Sequence, residues 1–437
     1  MTAQIIDTML RFSGRLEDLS DDMQRELFDR RANADPEIAS ATRDIIERVK
    51  ETGDDALRAL AEQFDGVSLE NIEVPRPVIR EARDSIDDQL REALEHAAAN
   101  IRKVHESQLP IESAVEVERG VFVSRRPDPL NRVGAYAPGG TAAYASSVLM
   151  TVIPARAAGV DEIILCSPAG KDGTPAREIM AAAAIAGVDR LFAVGGAGAI
   201  AAMAFGTASI PRADRIVGPG NAYVAEAKSQ LASYVGIDCP AGPSELLIIA
   251  DSSVSAYVVA REAIAQAEHD TRAVVGIITI GTYEDDILPA LRITADSQPR
   301  RGIVSEALRT RGFMIQVDTT DEAVRLATRF APEHLLIVTR DADAIAAGVR
   351  GAGAVFVGAS SSVAFGDYIT GGNHVLPTGG LGRAYSGLST LDFVRWTSVQ
   401  RVTKEAAKRL AAPTGVFARA EGLPGHAATA EYWGIAR

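Results

Sequence analysis

The chain has 437 residues, with 45 Lys and Arg against 58 Asp and Glu and a formal net charge of −13, a balance that argues against polyanionic partners such as nucleic acid. At 47% hydrophobic and 24% charged residues, it reads as a folded protein with a large core, not a disordered or fibrous one. Two cysteines, Cys166 and Cys239, exclude a disulfide framework and a cysteine cage for zinc. The opening residues lack a basic-then-apolar secretion signal, and no run of about 18 apolar residues occurs. A cytoplasmic protein that does not enter a membrane is expected.

Residues 1–110 are polar, with apolar positions three or four apart in 16–31, 36–64 and 78–106. This predicts a helical lead-in without strands. After Val121 the texture changes to short β-like apolar runs alternating with Ala-rich helical stretches. The strands EIILCSPA (162–169), RLFAV (190–194) and DRIVG (214–218) alternate with helices near 176–186, 199–206 and 221–233. A second series runs through LLIIAD (246–251), AVVGIITIG (273–281), FMIQV (313–317), LLIVT (335–339) and GAVFVG (353–358). The pattern predicts an α/β protein of two similar doubly wound, Rossmann-like βα domains, at 111–243 and 244–380. From 381 to 437 the expectation is a small tail domain with one helix (403–412) and a polar tail, packing on a partner subunit.

Several constellations carry chemistry. Gly196-Ala-Gly198-Ala-Ile-Ala201 follows a strand and opens a helix like a dinucleotide fingerprint, yet the acidic residue expected after the next strand is missing, and close packing explains the glycines as well. In Arg132-Val-Gly-Ala-Tyr136-Ala-Pro-Gly139-Gly140 and Gly218-Pro-Gly220-Asn221, glycines let backbone amides approach a ligand, with tight turns and an Asn221 helix cap as the alternatives. Gln266 and His269 share one helix face. Asp367 and His374 fall in a glycine-rich loop, and Glu421 and His426 fall in the tail. An aspartate, two histidines and an amide oxygen suit zinc. The adjacent Glu333 and His334 are candidates for two separate proton-transfer groups. Ser244 stands before LLIIAD as a hydroxyl contact or turn former. Cys239 has nothing nearby to lower its pKa and reads as a small buried residue.

RVGAYAPGGTAAYASSVLMTVIPARAAGV, VGPGNAYVAEAK, IDCPAGPSELLIIAD, AQAEHD, APEHL, GDYITGGNHVLPTGG and EGLPGHA together resemble, in order and spacing, the histidinol dehydrogenase family, from about residue 20 to 430. The resemblance implies four-electron oxidation of L-histidinol through L-histidinal to L-histidine with two NAD, the last step of histidine biosynthesis. It implies one Zn2+ per subunit, held by Gln266, His269, Asp367 and His426, with Glu333 and His334 as the acid/base pair. Ser244, Gln266, His269, His334, Asp367, Glu421 and His426 match substrate contacts, and Tyr136 and Asn221 match NAD contacts. It also implies a homodimer whose tail supplies Glu421 and His426 to the neighbour's site. Paralogues of this family oxidise other alcohols, including a sulfonated diol. One departure stands out: Gly198 occupies a position where the family usually has a glutamine that helps hold the cofactor.

Overall fold

The computed structural model describes residues 9–30, 35–139, 143–239 and 242–435; Gly140 lies outside them. The chain opens with β1 (Phe12–Arg15), continues through helices to the two-residue β2 (Glu73–Val74), and then makes a hairpin of β3 (Ser113–Glu118) and β4 (Val121–Pro129). The first βα series contains β5 (Arg132–Tyr136), β6 (Glu162–Cys166), β7 (Arg190–Phe192), β8 (Arg215–Val217) and β9 (Gly236–Ile237). The second contains β10 (Glu245–Ala250), β11 (Val274–Ile280), β12 (Phe313–Val317), β13 (His334–Val338) and β14 (Ala354–Val357). A last strand, β15 (Val394–Val402), pairs antiparallel with β4.

The two main sheets have the same plan, in the orders β2-β7-β6-β5-β8-β9 and β1-β12-β11-β10-β13-β14. In each series the first strand is central, the next two lie on one side and the last two on the other, and neighbours within the series are parallel. This is the doubly wound arrangement. Its strand direction of addition reverses between β5 and β8, and between β10 and β13, where such sheets open a crevice. Strands covered by helices on both faces need apolar residues throughout; β10 (ELLIIA) is buried along its whole length, Glu245 included.

Two expectations need correction. The N-terminal segment is mostly helical, with Ser20, Asp35 and Asp87 capping the helices Asp21–Phe28, Pro36–Thr52 and Asp88–Ser107. It also gives one edge strand to each sheet: β1 runs parallel to β12 and β2 antiparallel to β7. Strands of four and two residues are too short to show alternation, and only their neighbours define them. The C-terminal region likewise holds more than one helix. Lys404–Ala420 continues through Pro413, and Pro424–Ile435 folds back on it, clipped by Arg419 Nη1 donating to Glu431 Oε1 at 2.6 Å. No helix among the described residues is long and apolar enough to cross a membrane.

The lead-in also reaches the centre of the second sheet. Arg30 donates to Glu245 Oε1 from Nε at 2.9 Å and to Oε2 from Nη2 at 3.1 Å, with its guanidinium 3.4 Å above the Phe330 ring. Gly379 N–H donates to Glu245 Oε1 at 3.1 Å. Both side chains of the pair are buried, so removing one partner strands a charge. Arg30→Met is expected to cost ~3–5 kcal/mol, read as a lowered urea midpoint, and adding Glu245→Gln is expected to recover part of it; an unchanged midpoint for Arg30→Met refutes this.

Candidate functional site

Leu246 of β10 lies opposite His334 of β13, so the residues that open both strands meet at the amino edge of the second sheet. Ser244 Oγ donates to Glu333 Oε2 at 2.7 Å, and the Glu245 N–H donates to the same oxygen at 2.6 Å. His334 Nδ1 stands 3.2 Å from the Glu245 carbonyl oxygen. A carbonyl can only accept, so Nδ1 carries a proton and Nε2 is the nitrogen left for chemistry. Nε2 is buried without a hydrogen bond of good geometry among the described residues, and faces Asp367 Oδ1 at 3.3 Å. Burial would lower the His334 pKa, but the carboxylates of Glu333 and Asp367 outweigh it and push it up to about 10. Just upstream, Ala331 ends the helix Thr320–Phe330 at φ 50°. It is the one non-glycine residue with positive φ among those described, and such backbone strain gathers at functional sites.

The other wall comes from two helices. Gln266, buried in the last turn of Ala256–Ala267, donates from Nε2 to Ser244 Oγ at 2.8 Å, which leaves its carbonyl oxygen uncommitted by this bond. Asp367 sits in the helix Val363–Tyr368, whose Val363 N–H donates to Glu262 Oε2 on the first helix at 3.1 Å. Burial would raise the Asp367 pKa; His334, His374 and His269 together hold it below the ordinary carboxylate value. Of the three, the His334 ring is the one that reaches the carboxylate, at 3.3 Å.

The loop after Asp367 is tied to the first half of the chain. Asn100 Nδ2 donates to the Ile369 carbonyl at 2.7 Å, Asn373 Nδ2 to the Met150 carbonyl at 2.7 Å, and His374 Nε2 lies 3.4 Å from Ser147 Oγ. Gly371 has φ +93° and sits so close that a Cβ would lie 2.5 Å from the Asn100 carbonyl oxygen. His374 Nδ1 stands 2.8 Å from the Asp367 carbonyl oxygen, which fixes its ring, and burial lowers its pKa. Beside these residues opens a cavity of about 480 Å³, lined by His334, Phe356, Phe365, Asp367, Asn373 and His374, within the size range of small-molecule sites.

A second group lies at the carboxyl edge of the first sheet. Tyr136 ends β5, and its hydroxyl accepts from the Gly196 N–H at 3.1 Å; burial pushes its pKa up to about 12. Asn221 caps the helix Ala222–Leu231, its Oδ1 accepting from Tyr223 and Val224 N–H at 3.1 Å each. The turn before it touches the Tyr136 backbone, where a Cβ on Gly218 would lie 2.1 Å from the Tyr136 carbonyl oxygen.

A sequence model described as histidinol dehydrogenase matches residues 28–432. The chain belongs to the histidinol dehydrogenase family. It is 43% identical over 341 residues to a histidinol dehydrogenase of Methanosarcina barkeri, covering 77% of this chain and 78% of that protein. Against one from Aromatoleum aromaticum it is 46% identical over 342 residues, 78% of each. The crystal structure of histidinol dehydrogenase from Elizabethkingia anophelis superposes with a TM-score of 0.92 at 33% identity, over 98% of both chains. The fold and enzyme class follow: this is a dehydrogenase of two doubly wound halves.

The structure brings Ser244, Gln266, Glu333, His334 and Asp367 together; His269, expected on one helix face with Gln266, instead lies exposed just past the end of Ala256–Ala267. Glu421 and His426 stand apart, exposed on the C-terminal helical pair. Among the described residues no three His, Cys, Asp or Glu side chains converge to hold a metal. The amide oxygen, imidazole and carboxylate of Gln266, His269 and Asp367 nevertheless form a donor set that suits zinc. Cys239 is buried with its pKa pushed up to about 12, as an inert thiol should be. His374 stood out in the sequence without a role, and Ser147 and Asn100 gave no signal because their partners lie more than two hundred residues away.

Gly198 proves to be a packing glycine. It is buried in the first turn of Gly196–Phe205, and a Cβ there would lie 2.9 Å from Leu60 Cδ1 in the lead-in helices. Gly198→Gln is therefore expected to destabilise by ~1–3 kcal/mol through overpacking, with Leu60→Ala in the same chain relieving it; equal melting temperatures of Gly198→Gln and the parent contradict this.

Proposed function

We propose that the enzyme oxidises L-histidinol through L-histidinal to L-histidine, using zinc and two NAD, as the last step of histidine biosynthesis in the cytoplasm, and works as a homodimer. The observation that carries the reading is the pairing of Glu333 and His334 through Ser244 and the Glu245 backbone, beside Gln266, His269 and Asp367, in a chain of this family. Gln266, His269, Asp367 and the partner subunit's His426 are the residues that would hold zinc, one per subunit. When bound, zinc supplies orientation of the substrate's imidazole and amine, and NAD supplies the hydride acceptor for each oxidation.

The chain's own groups handle protons. His334 Nε2 is directed by the Nδ1 bond to Glu245 and takes the hydroxyl proton as a hydride leaves the same carbon. For that it must be neutral. Were Asp367 to hold the metal, one of the two carboxylates that raise the His334 pKa would be engaged elsewhere. Both hydrogen bonds to Glu333 fall on Oε2, which leaves Oε1 to take a proton from the water that attacks the aldehyde. The hydrate then loses a second hydride, and its remaining hydroxyl proton goes to His334. The sum is one alcohol, one water and two NAD giving one carboxylate, two NADH and three protons. Ser244 and the partner subunit's Glu421 complete the substrate contacts, and Tyr136 and Asn221 those of NAD.

Purified, zinc-loaded protein with L-histidinol and excess NAD is expected to form two NADH per substrate, followed at 340 nm; no NADH with zinc confirmed present defeats the reading and turns the search to other alcohols, a sulfonated diol first. Glu333→Gln is expected to slow L-histidinal oxidation by about 10²-fold or more while leaving alcohol oxidation far less affected. Equal losses at the two steps reject its water-activating role. Mixing Glu333→Gln and His426→Asn chains should restore activity through hybrid dimers with one intact site, and no rescue rejects a shared site.

A further inference from the structure

A buried ion pair sits directly beneath the Gly218–Asn221 turn, outside every residue assigned above. Lys228, on the helix that Asn221 caps, pairs with Asp238, which follows β9, and each side chain is only 3% exposed. Each partner also grips the same residue of the turn. The Gly218 N–H donates to Asp238 Oδ2 at 2.7 Å, and Lys228 Nζ donates to the Gly218 carbonyl at 3.0 Å. Gly218 is held at φ +120°, a conformation that favours glycine, and wedged against the Tyr136 carbonyl. One residue further on, a Cβ on Gly220 would lie 2.4 Å from Val224 Cγ1.

Fold stability alone gives little reason for charges here, since an apolar pair of similar size commonly serves a core as well or better. What the ionic pair adds is direction. It fixes both backbone groups of Gly218 at once, and so sets where the turn emerges beside the end of β5.

We infer that Lys228 and Asp238 are positioning residues for the dinucleotide: their pair locks the turn so that Asn221 and Tyr136 stand at a fixed separation at the switch point of the first sheet. The inference rests on the reading of Tyr136 and Asn221 as NAD contacts. On this reading neither charged group is itself a cofactor contact, and Glu333, His334 and Asp367 belong to the other half of the chain.

The test compares full-length parent, Asn221→Ala and the charge-free double variant Lys228→Met/Asp238→Leu. NADH affinity is measured by fluorescence titration, and KM is measured for NAD and for L-histidinol. The double variant is expected to weaken NADH binding and raise KM for NAD by about tenfold or more, with KM for L-histidinol within about twofold of the parent. Unchanged NADH affinity in the folded double variant, beside weakened binding in Asn221→Ala, overturns the inference alone. Unchanged affinity in Asn221→Ala overturns the cofactor reading of the turn and the inference with it. Equal rises in both KM values mark a merely structural pair and also overturn it. Should the double variant fail to fold, Asp238→Asn, which keeps the side-chain shape, is judged by the same criteria.

Discussion

In a parallel sheet, neighbouring strands enter at the same end, and with Leu246 opposite His334 the peptide of Glu245 has to lie beside the side chains of Glu333 and His334. That single residue therefore serves two functional groups through its two flanking peptides, its N–H taken by one carboxylate and its carbonyl by one imidazole. A rigid peptide in a fully buried strand is a better ruler than a side chain, because it has no rotamers to lose. Glu245 is in turn pinned by Arg30 and Gly379, so the precision of the site draws on a segment more than two hundred residues upstream.

The same sheet plan is used twice, but its two copies expose different edges. In the first half the candidate cofactor contacts stand at the carboxyl ends of β5 and β8, where doubly wound sheets ordinarily open to ligands. In the second half the chemistry sits at the amino edge, built from residues that precede strands or end helices. The loop 369–374 joins the two, hydrogen-bonded to Asn100 and Met150 and set close to Ser147. Oxidation of an alcohol needs a hydride acceptor against the carbon and a base within reach of its oxygen.

Charge is handled by enclosure. Arg30 with Glu245, Lys228 with Asp238, and His334 between Glu333 and Asp367 are all buried pairs or triads, each costly if one partner is removed. The first two also close on backbone groups. In the third, His334 Nε2 has no well-formed hydrogen bond among the described residues and faces Asp367 Oδ1.

By itself the sequence determined the alternation of strands and helices, the repeat of one βα plan, and the family with its candidate residues, because burial on both faces of a parallel sheet writes continuous apolar runs and glycine turns into local pattern. Glu333 and His334 were legible as neighbours in the chain, whereas the shared helix face expected of Gln266 and His269 was lost because the helix ends at Ala267. That Ser244 would reach Glu333 across 89 residues, that β1 and β2 would close the sheet edges, and that Gly198 would pack against Leu60 were decided by the tertiary structure. Strand pairing and helix packing join residues far apart in sequence, and contacts of that range leave no periodicity behind them.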